Sequence, residues 1–329
     1  MSATPDEFEW IARVLRPLAR NAPEAFDLAD DAASIPGRPG CDLIVTKDAI
    51  VEGVHFVAGD PPELVARKLL RVNLSDLAAK GAEPYGYFLA VAWPARFGWG
   101  EREAFARGLE ADQAHYALKL FGGDTVSTPG PLTASVTMLG WAPAGRMVLR
   151  SAAQPGDRVL VTGTIGDGRL GLDVAKGLGV GLSYADEAWL VERYRLPQPR
   201  LSVRNALSSL AHAAADVSDG LLADVGHIAE ASGAGARIDL DRLPLSGPAS
   251  RWLARASDAV AARVALATGG DDYEIVCTAP AERAGELAAA CRALDLPLTE
   301  VGEVTPEPGL HVLAGGREIE VSRTGWRHG

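Results

Sequence analysis

Short acidic motifs, each beside a glycine or a hydroxyl residue, recur along this 329-residue sequence. The fullest is Asp216-Val217-Ser218-Asp219-Gly220-Leu221-Leu222-Ala223-Asp224, which follows the small apolar run Ala213-Ala214-Ala215. Its first two carboxylates are three apart with a hydroxyl between them, where a strand is expected to end and a helix to begin. Such a junction offers backbone N–H groups and a positive helix end to an anion. The carboxylates themselves do not take phosphate. They take hard cations, and Mg²⁺ is commonly held by one or two carboxylates together with a substrate's phosphates. Alone, such a stretch reads more simply as an Asp-capped helix start. The sequence repeats the pattern, however, in Val72-Asn73-Leu74-Ser75-Asp76, and about fifty positions after each Ser-Asp comes a Gly-Gly-Asp. These are Gly122-Gly123-Asp124-Thr125 and Gly269-Gly270-Asp271-Asp272, while Asp30-Asp31 and Asp48 lie further upstream. The set suggests a nucleotide–metal site assembled from several loops.

Asp31, Asp48, Asp76, Asp124, Asp216 and Asp219 are the strongest metal-ligand candidates. Phosphoryl transfer needs little covalent chemistry from a protein. It needs an in-line approach and neutralisation of charge on the transferred group. No Walker-type Gly-x-x-x-x-Gly-Lys-Ser/Thr run is present, nor a kinase Gly-rich loop with a later His-Arg-Asp, so any ATP chemistry takes a carboxylate–metal route. Gly122-Gly123 would let the backbone approach phosphate closely, and Arg150 would supply a fixed positive charge. Plainer readings stand beside these. A lone Asp next to Gly is more often a turn residue. His55 is as well explained as a hydrogen-bonded structural residue, and Lys68 and Lys80 read as solvated helix residues. Trp326 reads first as part of a frayed tail and second as a ring for stacking a flat heterocycle. No nucleophile elbow is visible.

Composition narrows the class. Hydrophobic residues make up 47% and charged residues 23%, as in soluble globular proteins. The formal net charge of -11 disfavours a nucleic-acid partner, and a phosphate site in that field requires metal ions to invert the local potential. Cys41, Cys277 and Cys291 are scattered, odd in number and without metal-ligand spacing. A reduced, cytoplasmic setting is expected. The acidic segment Met1 to Trp10 lacks the basic flank and apolar core of a signal peptide, and no apolar run approaches a membrane span.

Strands and long helices alternate, which predicts an α/β or α+β chain of two domains. The helical spacing of Phe8, Ile11, Val14, Leu15 and Leu18 predicts an opening helix, and residues 21–40 read as a loop. Strands are expected at Cys41–Val51, Tyr85–Trp93 and Leu132–Trp141, and helices from Pro61-Pro62 to about Gly81 and from Glu101 to Leu118. Gly-Gly-Asp-Thr reads as a turn after Leu120-Phe121. The domain boundary is placed near Gly145, giving domains 1–145 and 146–329. In the second, strands are expected at Asp157–Gly163, Arg237–Leu240, Tyr273–Thr278, Leu298–Val304 and Leu310–Val312. Helices are expected at Asp219–Ala231, Ser246–Ala256 and Ala281–Ala293, with another begun by Gly166-Asp167-Gly168.

Taken together, these motifs resemble those of bacterial thiamine-monophosphate kinases, within the aminoimidazole ribonucleotide synthetase-like superfamily. The resemblance rests on Asp30-Asp31, Thr46-Lys47-Asp48 with Glu52-Gly53-Val54-His55-Phe56, and Val72 to Ala79. It continues through Gly122-Gly123-Asp124-Thr125, Arg150-Ser151, Pro155-Gly156-Asp157, Val161-Thr162-Gly163-Thr164, Asp216 to Leu221 and Gly269 to Glu274. It implies ATP-dependent phosphorylation of thiamine monophosphate to thiamine diphosphate, by direct in-line transfer with several Mg²⁺ ions. It implies an N-terminal α/β domain that binds ATP and Mg²⁺ and pairs in a homodimer, followed by a C-terminal α+β domain. Carried over residue by residue, Asp31, Thr46, Asp48, Asp76, Asp216 and Asp219 are metal ligands, with Asp124 and the Lys47 carbonyl beside them. Asp48 and Asp219 are the catalytic carboxylates. Gly123, Asp124, Arg150 and Ser218 meet ATP, and His55, Asp271 and Trp326 meet the thiamine phosphate. The sequence departs from the family pattern at Asp27-Leu28-Ala29, where Gly-Ile-Gly is usual, and at Lys47. It departs again at Asp271, where Glu is frequent, and at Val126-Ser127, where an Arg often follows the Gly-Gly-Asp-Thr. Two alternatives stand beside this reading: another ATP-using enzyme of the superfamily, and a non-catalytic relative that binds nucleotide and Mg²⁺.

Overall fold

Gly40, at φ +73°, and Gly53, at φ +81°, bracket the first strand, because each turns the chain through a left-handed conformation that side chains resist. The computed structural model describes residues 7–326, so Met1 to Asp6 of the acidic opening and the tail from Arg327 lie outside the described residues. The chain divides into two compact units. One comprises the residues up to Leu77 with Ala82–Gly145, and the other Ala78–Gly81 with the residues from Arg146 onward.

The first unit opens with α1 (Glu7–Trp10) and α2 (Arg16–Leu18), which flank a π turn over Ile11–Leu15, just before Pro17. A short 3-10 segment, Pro23–Leu28, interrupts the expected loop. Then come β1 (Cys41–Val51), α3 (Pro62–Ala79), β2 (Glu83–Pro94), α4 (Trp99–Tyr116), β3 (Lys119–Thr128) and β4 (Thr133–Pro143). The sheet order is β1-β4-β2-β3, with β1 and β2 antiparallel to β4 and β3 parallel to β2. Strand alternation decides its two faces. Ile44, Ile50, Val136, Met138, Leu89 and Val91 are buried on one of them. The other carries Leu43, Val45 and Val126, which stay 40%, 56% and 51% exposed. Helices α3 and α4 meet at Gly108, where a Cβ would fall 2.1 Å from the Glu63 carbonyl oxygen. They are also joined by Arg67 and Arg71, which donate at 3.0 and 2.7 Å to the fully buried Asp112.

In the second unit the strands are β5 (Arg158–Thr162), β6 (Ala213–Asp216), β7 (Gly235–Asp239), β8 (Ile275–Ala279), β9 (Leu298–Thr305), β10 (Gly309–Ala314) and β11 (Arg317–Ile319). The helices are α5 (Asp167–Ala175), α6 (Tyr184–Arg195), α7 (Arg204–Leu210), α8 (Leu221–Ala231), α9 (Gly247–Leu253), α10 (Ala259–Ala267) and α11 (Ala281–Arg292). The seven strands form one mixed sheet in the order β11-β10-β7-β9-β5-β8-β6. Period-two alternation feeds two cores. Val159, Val161, Ala213, Ala215 and Val276 pack with Leu221, Leu222, Val225 and Ile228 of α8. Leu160, Ala214, Ile275 and Cys277 pack with Leu207 and Leu210 of α7 and Leu287 and Cys291 of α11. The interior strands β5 and β8, buried on both faces, read as nearly continuous apolar runs. The expectation of an α/β or α+β chain is met. No described helix is long and apolar enough to cross a membrane.

Some expectations fail. Gly122-Gly123-Asp124-Thr125 is not a turn: it lies within β3, with Gly122 and Gly123 at φ +149° and +155°. A Cβ at Gly123 would stand 1.7 Å from the Leu89 carbonyl oxygen, so only glycine lets β3 lie this close to β2. Lys68 is not solvated. It is 2% exposed, and its Nζ donates to the His55 carbonyl at 3.1 Å. Lys80 is half-buried and donates to the Ala214 carbonyl at 2.7 Å. Both amines satisfy backbone acceptors, which lowers the cost of burying them. Helix α10 and strand β11 were not expected from the sequence.

Candidate functional site

The acidic residues of the first unit are organised by a helix facing a strand. Thr46 and Asp48, two apart on β1, share the face that the helices cover, and alternation puts the exposed Lys47 side chain on the other face. On α3, Asn73 and Asp76 are three apart and so share one side of the helix. Thr46 Oγ1 donates to Asp76 Oδ2 at 2.5 Å, and the Asp48 N–H donates to Asn73 Oδ1 at 3.0 Å. Hydroxyl and carboxylate oxygens thus converge, a donor set suited to a hard cation. His55 sits in a tight turn where its Nδ1 accepts from the Val51 N–H at 3.1 Å. With Nδ1 so used, neutral His55 carries its proton on Nε2.

The other candidates in this unit are exposed. Asp31 is exposed, with its N–H donating to Asp30 Oδ1 at 2.8 Å. Gly123 and Asp124 lie on β3, at the sheet edge opposite β1, with β4 and β2 between. At the usual strand spacing that is about 14 Å. Asp124 is exposed and accepts from the Thr125 N–H at 2.8 Å. The described fold therefore brings together Thr46, Asp48 and Asp76 and leaves Asp124 at a distance.

In the second unit, two loops lie side by side. The Val217 N–H donates to the Glu274 carbonyl and the Tyr273 N–H to the Val217 carbonyl, both at 2.8 Å. The Asp271 N–H donates to the Ser218 carbonyl at 3.0 Å, and the Trp326 N–H to the Asp219 carbonyl at 2.9 Å. Backbone bonds therefore gather Ser218, Asp219, Asp271 and Trp326. The approach requires glycine: a Cβ at Gly270 would lie 2.3 Å from the Ser218 carbonyl oxygen. Asp216 ends β6 buried, beside Ile275 in the register. Trp326 is half exposed, with the Arg323 guanidinium 5.7 Å from its ring centre. It is held by its backbone rather than frayed.

Asp224 is the residue that sequence reasoning quoted and then passed over. One of its carboxylate oxygens accepts from the Ser218 and Asp219 N–H groups at 3.1 and 3.2 Å, and only 2% of the residue is exposed. Burial, and then the Asp219 charge, push its pKa up to about 7, while those two N–H groups and the Arg150 charge pull the other way. Arg150 itself is exposed, and its carbonyl accepts from Ser232 Oγ at 3.3 Å. Asp219, Asp224 and His227 each bring one ligand atom within 4.8 Å of the others. The i, i+3 spacing of Asp224 and His227 was the available signal. Two further carboxylates anchor the Asp271 loop. Asp272 accepts from the Gly166 and Gly168 N–H groups at 2.7 and 2.9 Å, at the start of α5. Burial and the neighbouring Asp167 charge raise its pKa. Glu274, fully buried, accepts from Thr162 Oγ1 at 2.8 Å, Arg193 at 3.0 Å and Arg200 Nε at 2.7 Å.

Two departures from the family pattern take on physical sense. Asp271 sits at φ +68°, a left-handed conformation that Asp tolerates better than longer side chains do. Ala29 lies at φ -106°, an ordinary conformation, whereas Asp27 lies at φ +56°. Of the two positions where glycine is usual, the one at residue 27 is where it would ease the backbone.

Residues 29–142 match the family model for AIR synthase related protein, N-terminal domain, and residues 154–314 match that for AIR synthase related protein, C-terminal domain. The chain is 54% identical over 328 residues to the thiamine-monophosphate kinase of Caulobacter vibrioides, covering 100% of this chain and 92% of that one. Among solved structures it is similar to the thiamine-monophosphate kinase of Stenotrophomonas maltophilia K279a. That match has a TM-score of 0.81 and 38% identity, over 95% of this chain and 98% of the other. It is also similar to AaThiL complexed with AMPPCP and TMP, with a TM-score of 0.77 and 29% identity, over 98% of this chain and 96% of the other.

Proposed function

Because this chain belongs to the thiamine-monophosphate kinase family, we propose that it transfers the γ-phosphoryl group of ATP directly to thiamine monophosphate, giving thiamine diphosphate. The observation that carries this reading is the match, over 98% of the chain, to a relative captured with AMPPCP and TMP. Residues of each unit have roles in it. Asp31, Thr46, Asp48, Asp76 and Asp124 in the first unit, and Asp216 and Asp219 in the second, would hold Mg²⁺. Their donors are all oxygen, and the 2.5 Å approach of Thr46 to Asp76 gathers two of them, which fits a hard cation. The Lys47 carbonyl would join them, since its side chain is on the opposite face. When bound, Mg²⁺ supplies neutralisation of charge on the transferring phosphoryl group.

The protein's own groups position the reactants. Gly123 offers backbone without a side chain, and Asp124, Arg150 and Ser218 meet ATP. His55 presents an Nε2–H to an anionic oxygen, and Asp271 meets the thiamine phosphate. Trp326, with half its surface exposed and its main chain tied to Asp219, stacks on a ring of the substrate. The domain of residues 1–145 pairs in a homodimer through the sheet face that carries Leu43, Val45 and Val126. Leu43, Val45 and Val126 on that face support this, since apolar patches of this kind mark interaction surfaces. A reduced, cytoplasmic setting is supported by the unpaired, buried Cys277 and Cys291.

The test is to incubate purified protein with ATP, Mg²⁺ and thiamine monophosphate and to resolve the products chromatographically. Thiamine diphosphate that forms with Mg²⁺ and disappears with EDTA is the expected result. Binding of ATP–Mg²⁺ without that product would overturn the assigned acceptor.

A further inference from the structure

Asp48 lies on an edge strand, since β1 pairs with β4 alone. The outer side of such a strand leaves backbone groups to water or to side chains. At Asp48 the N–H is taken by Asn73 Oδ1 at 3.0 Å. Asn73 has no exposed surface, and its Nδ2 donates to the Leu69 carbonyl, one turn earlier in α3, at 2.9 Å. The carbonyl of the same Asp48 accepts from Ser135 Oγ of β4 at 3.0 Å. Both backbone groups of one residue are thus held by side chains from two different elements.

The second grip is three residues along the helix. Asp76 accepts from Thr46, two residues before Asp48, so α3 engages β1 twice while running against it. Three helical residues advance about 4.5 Å and two strand residues about 6.6 Å. Two short side chains span that difference, and a slip of one residue along β1 would turn Thr46 and Asp48 to the other face. A buried amide whose oxygen and nitrogen are both engaged resists movement, because each unmade bond would leave a desolvated polar atom.

We propose that Asn73 and Ser135 are positioning residues that fix the main chain of Asp48 and so present its carboxylate in register with Asp76 for a divalent cation. Neither residue touches the cation. This rests on the metal assignment above and adds to it the device that makes an edge strand rigid enough to serve. Loss of an orienting hydrogen bond one step outside a metal site commonly weakens metal affinity 10–100-fold.

The experiment measures Mn²⁺ binding to the full chain by paramagnetic resonance, in the presence of a non-hydrolysable ATP analogue, for wild type, Asn73→Ala and Ser135→Ala. The Mg²⁺ concentration for half-maximal turnover and the thermal midpoint are recorded alongside. Asn73→Ala is expected to weaken Mn²⁺ binding about 10–100-fold and to raise the Mg²⁺ requirement in proportion, with kcat largely recovered at saturating Mg²⁺. Ser135→Ala is expected to do the same by about threefold to tenfold, at a nearly unchanged thermal midpoint. If Asn73→Ala fails to fold, Ser135→Ala decides. Wild-type Mn²⁺ affinity in a folded variant, with only the midpoint lowered, overturns the positioning role. Failure of the wild type itself to bind Mn²⁺ overturns the metal assignment, and this inference with it.

Discussion

Ser75-Asp76 and Ser218-Asp219 are the same dipeptide, yet the first lies inside helix α3 and the second in the loop between β6 and α8. Their Gly-Gly-Asp companions differ as sharply. Gly122-Gly123-Asp124 is part of strand β3, while Gly269-Gly270-Asp271 is a loop laid against Ser218. In the first unit the carboxylates are spaced by regular structure, and the side chains of Asn73 and Asp76 lock helix to strand. In the second, irregular backbone is bonded to irregular backbone, and the buried carboxyls of Asp272 and Glu274 hold it there. Similar acidic motifs can therefore be rigidified by unrelated means, and the repeat in the sequence is not a repeat in structure. The difference predicts where each unit is fragile.

The largest effect is expected where the comparison should vanish. Asp48→Asn and Asp219→Asn each replace a proposed metal ligand by a neutral side chain of similar size. Loss of several kcal/mol of charge stabilisation corresponds to at least about 10³-fold in turnover. Both variants should retain the wild-type circular dichroism spectrum. A rate within tenfold of wild type for either one would remove that residue from the metal set, and with it the parity of the two units.

Next comes the means of support. Glu274→Ala leaves Arg193 and Arg200 without their shared carboxylate in a buried setting, a change that typically costs about 3–5 kcal/mol. Thr46→Val removes one hydrogen bond from the first unit and should cost only about 1 kcal/mol. Urea unfolding followed by tryptophan fluorescence would rank the two. An equal cost would mean that charge burial is not what distinguishes the support of the second unit's acidic motif.

Much of this organisation was legible beforehand. Strand β1 carries its own boundaries in Gly40 and Gly53, and α3 announces its start with Pro61-Pro62. The residue types of the acidic motifs pointed to metal and phosphate before any fold was known. What escaped depends on partners distant in sequence. Lys68 looks solvated until its acceptor, the His55 carbonyl, is seen thirteen positions away. Gly-Gly-Asp-Thr looks like a turn because glycine's freedom serves turns and tight strand pairing alike. The separation of Asp124 from Asp48 follows from strand order, which no local spacing encodes. Helix α10 is an Ala- and Val-rich stretch whose one clear signal is the capping Asp258, bonded to the Val260 and Ala261 N–H groups.

Buried carboxyls in the second unit also give it a pH dependence. Burial raises the Asp167 pKa, against the opposing hydrogen bonds from Ser246 and Thr164 and the Arg193 charge, with the nearby Glu274 adding to the rise. The folded protein then keeps a proton that the unfolded chain, with an Asp pKa near ~3.9, has already lost. Stability contributed at this site therefore falls as pH rises from about 4 toward the higher folded value. Asp167→Asn removes the titration, so its stability relative to wild type should improve as pH rises from about 4 toward the raised folded value in urea melts. A constant difference across that range would show that Asp167 titrates alike in both states.

The smallest expected effect concerns backbone strain, which both units carry beside an acidic motif. Phe26, Asp27 and Leu28 lie at φ +49°, +56° and +55°, just before Asp30-Asp31, and Asp271 lies at φ +68°. A left-handed conformation costs an L-residue about 1–2 kcal/mol, toward the low end for Asp. Asp27 contacts Arg16 through its carbonyl, at 3.0 Å, which glycine would keep. Asp27→Gly should therefore stabilise the protein by up to about 1 kcal/mol, reduced by the greater freedom glycine gives the unfolded chain. That corresponds to a rise of about 1–3 °C in the thermal midpoint. Asp271→Gly relieves the same strain but removes a carboxylate proposed to meet the substrate, so a similar thermal gain should come with lost turnover. If Asp27→Gly keeps full activity and Asp271→Gly does not, the strain at residue 27 is incidental and that at residue 271 serves the reaction. A lowered midpoint in Asp27→Gly would mean that the Asp27 side chain makes a stabilising contribution larger than the strain it bears.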